Sequence, residues 1–293
     1  MKFQFIHEHR LTWPISLMCR LLGVSRSGYY SWRRRPTSAR KMADKVLTAA
    51  IESVHRASRG VYGSLRVYWR LRQLQWRCSR KRVARLMRQM GLHGKRKRRF
   101  RPQTTNSDHA LPIAPNLLQQ DFSATAPNQK WLSDISYIDT AEGWLYLAVI
   151  IDLYSRRVVG WAMSHRIDRF LVLAALDMAI RSRKPAPGLI FHSDRGRQYA
   201  SADFQNTLAA HGMVASMSGK GNCYDNAPVE SWFASLKVEC VDGVRYKSRD
   251  EARSSLFDYI EIFYNRQRLH SSLGYLSPLA YEQPVSYTHL RAH

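Results

Sequence analysis

Two aspartates and a glutamate stand where short apolar runs give way to polar turns. Asp194 follows Leu189-Ile190-Phe191-His192-Ser193. Glu230 lies within Asp225-Asn226-Ala227-Pro228-Val229-Glu230-Ser231-Trp232-Phe233, and 35 residues separate it from Asp194. Asp134 sits upstream in Trp131-Leu132-Ser133-Asp134-Ile135-Ser136-Tyr137, on another strand-like run. Two strand-borne aspartates and a helix-borne glutamate can form a cage for hard divalent cations, which prefer carboxylate oxygens. A lone aspartate ending a strand is more often a turn or helix cap, and that reading is kept for Asp139, Asp152 and Asp203. On the glutamate helix, Val229, Trp232, Phe233 and Leu236 form the apolar stripe, which leaves Glu230, Ala234 and Lys237 on another face. Lys237 then lies about 10 Å along the axis from Glu230.

The elements that must hold these acids are legible from periodicity. Residues 131–139, 143–154 and 157–164 read as three strands joined by short turns. The middle one is almost continuously apolar, as expected of a strand buried on both faces. Phe170 to Arg181 reads as a helix, Leu189 to His192 as a strand, Ser201 to His211 as a helix and Val214 to Met217 as a fifth strand. Asp250 to Phe263 is a further amphipathic helix on Ala252, Leu256, Tyr259, Ile260 and Phe263. Periodicity alone supports a mixed α/β fold. Gly219-Lys220-Gly221-Asn222 fits no phosphate-loop spacing and reads as a mobile loop beside the site.

The charge is segregated. The chain carries a net +24 over 293 residues, and of this +23 falls on residues 1–120. A basic half in front of a near-neutral half indicates a polyanion-binding module attached to something else. Residues 11–32 read as a small helix-turn-helix, with Pro14 opening one helix, Gly23 breaking it and Ser25 capping the next. Three more helices follow over 44–90. The last is capped by Ser79, has Val83, Ala84, Leu86, Met87 and Met90 inside, and presents Arg80, Lys81, Arg82, Arg85 and Arg88 on its other face. Five cations on one short helix repel one another by a few tenths of a kcal/mol per close pair, a cost that a nucleic-acid partner would offset. Beyond Gly91, Lys95, Arg96, Lys97, Arg98 and Arg99 form an arm suited to tracking phosphates.

Taken together, the three acidic segments resemble the DDE transposase and retroviral integrase superfamily. They are most similar to the second-frame (OrfB-type) transposases of bacterial insertion sequences. The resemblance runs from Met1-Lys2-Phe3 to about Glu282, and Tyr264-Asn265-Arg266-Gln267-Arg268-Leu269-His270 with Leu273-Gly274-Tyr275-Leu276-Ser277-Pro278 looks like the C-terminal signature of that family. It implies a ribonuclease H-like integrase catalytic core behind a helix-turn-helix-type DNA-binding region. It implies Asp134, Asp194 and Glu230 as catalytic residues and metal ligands, with Mg²⁺ or Mn²⁺, two ions per site, as cofactor. Water would free a 3′-hydroxyl at an element end, and that hydroxyl would attack a second phosphodiester to join strands. Lys237 and His192 are candidate DNA contacts, His192 with the alternative of supporting the metal shell. The partners implied are DNA, as element ends and target, further copies of the chain on DNA, and a first-frame (OrfA-type) protein.

The expected division is a helix-turn-helix-like segment over 1–40, a basic helical DNA-binding domain over 41–101, a linker over 102–129, the catalytic core over 130–240, a C-terminal helical extension over 241–284 and a tail over 285–293. Cys19, Cys78, Cys223 and Cys240 form no Cys-x-x-Cys pair, which argues against a disulfide framework or a zinc site and departs from the zinc-bearing N-terminus of retroviral integrases. No run approaches the length of a bilayer span, so a cytoplasmic, nucleoid-associated protein is expected. Two other readings stay open at this point: a non-catalytic DNA-binding regulator or inactive element remnant, and a stand-alone nuclease of the same fold.

Overall fold

Four side chains with little access to solvent, Ile6, Met18, Cys19 and Tyr29, hold together the N-terminal helices α1 (Lys2–Glu8), α2 (Ile15–Leu21) and α3 (Arg26–Arg34). Ser25 caps α3 by accepting a hydrogen bond from the Gly28 amide at 3.0 Å, and Gly23 makes the preceding turn at φ 61°. The sequence reading lacked only α1. The computed structural model describes residues 1–35, 38–95, 111–219 and 223–283. The chain up to Glu52 forms one compact unit and the chain from Ser53 another, with α4 (Ala39–Ala57) running across the boundary.

In the second unit, α5 (Ser64–Gln73) and α6 (Arg80–Gln89) follow as expected, and Ser79 caps α6. Residues about 200 positions away are tied to this region. The Tyr62 hydroxyl donates to the Gln267 carbonyl at 3.0 Å and accepts from the Leu269 amide at 2.8 Å, while Trp69 stacks on Tyr275 with ring centroids 5.0 Å apart. Helix α5 and the turn before it are therefore packed on the C-terminal extension. Within the stretch read as linker, Leu118 is buried and the Leu117 amide donates to Ser216 Oγ at 2.9 Å, so this part lies beside the sheet.

The core is a five-stranded sheet of β1 (Lys130–Ile138), β2 (Leu145–Asp152), β3 (Val158–Ser164), β4 (Ile190–Ser193) and β5 (Val214–Met217), in the order β3-β2-β1-β4-β5. The first three strands are antiparallel and β4 and β5 run parallel to β1. This is the mixed sheet of a ribonuclease H-like core. Helix α7 (Arg169–Arg183) lies so close to β3 that a Cβ at Gly160 would sit 2.3 Å from the Ala175 carbonyl oxygen. Trp131, Ala148, Phe191 and Phe204, the last from α8 (Ala202–Ala210), fill the core on this side. Helix α9 (Ala227–Leu236) packs against β1.

The expected helix over 250–263 changes pitch midway. It runs as α10 (Arg249–Phe257) and continues as a widened, π-helical stretch over Asp258–Tyr264, which buries Tyr259, Ile260, Phe263 and Tyr264. The last helix, α11 (Pro278–Glu282), is tied to the core by Glu282, whose Oε2 accepts from Arg157 and Arg183 at 2.7 and 2.8 Å. The tail over 285–293 lies outside the described residues.

Candidate active site

The register of the sheet places the two aspartates. Strands β1 and β4 pair Trp131 with Phe191 and Leu132 with His192. Asp134 and Asp194 each lie two residues past the last pair, so they occupy equivalent positions on neighbouring parallel chains. Since side chains alternate along a strand, Asp134 belongs to the face opposite the Trp131 core, and Asp194, just beyond β4, is near enough for its charge to act on Asp134. Glu230 is exposed on the first turn of α9. Burial first, then the charges of Asp194 and Glu230, push the Asp134 carboxyl well above its ordinary range, while Lys237 pulls it the other way. Partial burial likewise raises Glu230. An acid pushed up by the charges of two others marks a site whose charge a cation would relieve.

Local bonds orient the acids. Asp134 Oδ1 accepts from the Ile135 amide at 2.8 Å, and Asp194 Oδ1 accepts from the Gly196 amide at 3.0 Å. A Cβ at Gly196 would lie 3.0 Å from Asp194 Oδ1 and 2.8 Å from Gln198 Oε1, so a side chain there would press on the carboxylate. The Tyr199 hydroxyl and Ser133 Oγ are 2.8 Å apart and buried. Burial and the two aspartate charges drive the Tyr199 phenol far up, which keeps it neutral. Asp225 holds the approach to α9: its Oδ2 accepts from Asn116 Nδ2 at 2.9 Å and from the Gly219 amide at 2.8 Å. Of these supporting residues Ser133, Ile135, Gly219 and Asp225 fall within stretches singled out in sequence. Nothing local marked Tyr199 or Asn116.

His192 corrects the sequence reading as a DNA contact. Its side chain is fully buried one pleat before Asp194, with Nδ1 2.8 Å from Ser216 Oγ and Nε2 3.2 Å from Ser218 Oγ. Both ring nitrogens are occupied and desolvation lowers the imidazole to about 4, so it is a neutral link between β4 and β5. Lys237 ends α9 and begins a π-helical turn over Lys237–Val241. Its ammonium lies 5.3 Å from the centre of the Tyr137 ring, near enough to Asp134 to affect it. On α6, Arg80, Lys81 and Arg88 are exposed and Arg82 and Arg85 half-buried, while Val83, Leu86 and Met87 face inward. Lys95 donates to the Glu239 carbonyl at 3.1 Å. Arg96, Lys97, Arg98 and Arg99 lie outside the described residues, as does the loop over 220–222. Asp152 is a structural acid, as read: its oxygens accept from the Asn128 and Tyr154 amides at 2.7 and 2.8 Å.

Carboxylate oxygens alone suit a hard divalent ion that keeps waters and takes substrate oxygens as further ligands. No group of three or more His, Cys, Asp or Glu side chains among the described residues is already drawn together tightly enough to hold an ion.

A ribonuclease H-like sheet with a helix-turn-helix-like N-terminal region defines a polynucleotidyl transferase of the integrase-core class. Residues 124–223 and 230–285 match integrase core domains, and residues 41–100 match an HTH-like domain. The chain is 49% identical to an uncharacterized 31 kDa protein of insertion element IS600 in Shigella sonnei, over 91% of this chain and 97% of that one. It is 47% identical to transposase InsF for insertion sequence IS3A of Escherichia coli strain K12, over 96% and 98% of the two chains. Among solved structures it is similar to the HTLV-2 integrase catalytic core domain in complex with magnesium, with a TM-score of 0.43 and 15% identity over 55% of this chain and 100% of that one. It is also similar to a chain of the simian T-cell lymphotropic virus intasome, with a TM-score of 0.47 and 15% identity over 83% and 78%. The chain belongs to the bacterial insertion-sequence transposases, in the OrfB-type branch of the DDE transposase and integrase superfamily. It is a DNA transposase. No helix among the described residues is long and apolar enough to cross a membrane.

Proposed function

We propose that Asp134, Asp194 and Glu230 are the catalytic residues of this transposase and hold two Mg²⁺ or Mn²⁺ ions. The observation that supports this reading is that Asp194 follows β4 beside Asp134 in β1, against which α9, the helix of Glu230, packs, and that the charges of Asp194 and Glu230 both act on Asp134. When bound, such a pair of ions stabilises the incoming and leaving oxygens of an in-line phosphodiester displacement. The chain's own part is positional. Gly196 and Ile135 fix the aspartates through their amides, and Asp225 sets the start of α9 and hence the position of Glu230. Lys237 grips a phosphate beside the site. Water attack frees a 3′-hydroxyl at an element end, and that hydroxyl attacks a second phosphodiester, so no protein nucleophile is needed. Arg80, Lys81, Arg82, Arg85 and Arg88, with the arm from Lys95 to Arg99, bind the DNA backbone. Joining two element ends to one target needs two active sites, which supports a homo-oligomer on DNA, and the family resemblance adds a first-frame protein as partner.

The test is strand cleavage and joining on labelled element ends with and without Mg²⁺. Asp134→Asn and Glu230→Gln each remove a charge and little volume. Each should abolish Mg²⁺-dependent cleavage and joining while leaving DNA binding nearly intact. Substantial activity in either would remove that residue from the site.

A further inference from the structure

The C-terminal signature has no part in the acid chemistry, yet it builds a cavity of about 470 Å³ on the other side of α9. That volume falls within the range of ordinary ligand sites. The cavity takes its wall from the α9 face that carries Ser231 and Ser235. At 100° per residue this face lies roughly 140° around the helix from Glu230 and Lys237. Four cations line it: Arg66 from α5, Lys95, Arg156 from the turn between β2 and β3, and Arg268 from the signature.

The charges do not balance. Glu239 is the one acid in the lining, and it is consumed by Arg268, whose Nε and a terminal nitrogen reach it at 2.7 and 2.6 Å. Arg66 and Arg156 form no ion pair with any described carboxylate, although burial holds both guanidiniums below their ordinary range and Arg268 adds to the effect on Arg66. Glu239 acts on Arg66 and Asp152 on Arg156 only from beyond ion-pair distance, and neither offsets the burial. His270 is kept neutral by burial and by the charges of Arg268, Arg66 and Arg156. The Trp232 indole, also in the lining, has an N–H that is buried without an acceptor. Arg156 in addition holds a left-handed backbone at φ 60°, a conformation that costs a non-glycine residue about 1 kcal/mol or more and clusters at functional sites. Two partly buried guanidiniums with no direct ion pair and an unused N–H together describe a receptor for an oxyanion.

We infer that this cavity binds a phosphodiester group of a DNA strand running along the face of α9 away from Glu230, with Arg66 and Arg156 as its principal ligands. The guanidinium fork matches two phosphate oxygens at once. The inference rests on the chain acting on DNA and not on which residues carry out the chemistry. One helix would then feel DNA on two faces, and the signature residues, through Arg268 and Glu239, would position the cations.

The experiment uses the full chain in Mg²⁺-free buffer, so that binding is read without cleavage. Affinity for a mixed-sequence duplex oligonucleotide is measured against salt for wild type, Arg66→Gln, Arg156→Asn and the double variant. Asparagine tolerates the left-handed backbone, so the turn at 156 should survive. Each single variant should lose about three- to tenfold in affinity, and the slope of log K against log salt should become shallower by roughly 0.9 for each phosphate no longer neutralised. The unliganded Tm should equal or exceed that of wild type, because like charges have been removed. Asp194→Asn should keep the wild-type slope, which separates this site from the acids. A double variant with wild-type slope and affinity would overturn the inference, and so would a fall in unliganded Tm in both single variants, which would make the arginines structural. Inorganic phosphate serves as the second arm. If it stabilised wild type but not the double variant while DNA affinity stayed unchanged, the cavity would be a free-phosphate site and the DNA assignment would fail.

Discussion

Replacing Asp194 by asparagine should make the protein more stable and catalytically dead. Asp194 follows the end of β4 level with Asp134 in β1, and adjacent parallel strands lie about 4.8 Å apart. Two full charges at about 5 Å repel by roughly 3 kcal/mol at an effective dielectric constant near 20. Part of that is already avoided, since the Asp134 carboxyl is pushed up and retains its proton more readily. A gain of about 1–2 kcal/mol is therefore expected, or roughly 2–8 °C in Tm for a unit of this size. Asparagine keeps an oxygen to accept from the Gly196 amide, so the turn should hold. The sign with pH follows from linkage. An acid whose folded pKa is raised keeps a proton that the unfolded chain has already released above the ordinary value of 3.8. The wild type thus carries no penalty at lower pH and a growing one as pH rises through and beyond 4. The variant should match wild type near pH 3 and pull ahead towards pH 7. Thermal unfolding of both proteins across that range, in metal-free buffer, is the assay. Added Mg²⁺ should then raise the Tm of wild type more than that of the variant. If Asp194→Asn were no more stable at pH 7, or if the gap did not widen with pH, the two carboxylates would not share a site.

Lys237→Ala should weaken strand joining and deepen its loss with rising salt, while the Mg²⁺ concentration needed for half-maximal activity does not increase, because a cation near Asp134 has been removed. Lys237→Arg should retain more joining; an alanine form equal to wild type at every salt would make Lys237 an ordinary surface residue. Glu239→Gln should destabilise the second unit by about 3–5 kcal/mol, since it leaves the buried Arg268 without its partner and weakens the bond from the Tyr259 hydroxyl, now 2.8 Å long. Calorimetry would show a Tm fall of roughly 6–20 °C, and an unchanged Tm would mean the pair contributes little beyond geometry.

Much of this protein is legible in one dimension. The amphipathic period of α6 separates Val83, Leu86 and Met87 from its five cations without reference to any partner segment. The unbroken apolar run of β2 announces a strand covered on both faces. The acid segments are equally local, because an aspartate within or just after a strand and a glutamate on the first turn of a helix keep those positions wherever the elements pack. Parts that depend on distant neighbours were not legible. His192 reads as a polar residue beside the site, yet strand pairing turns it inward between Ser216 and Ser218. Tyr199 and Asn116 carry no sequence signal, since their role is set by Ser133 and Asp225, which lie 66 and 109 residues away. The same reason hides the cationic cavity: Arg66, Arg156 and Arg268 come from three separate segments, and only side-chain packing brings their charges together around one helix. Local propensity and spacing thus determined which elements form and which acids they carry. Long-range pairing decided which polar residues face one another, because burial and charge depend on what the fold brings near and not on what the chain places next in line.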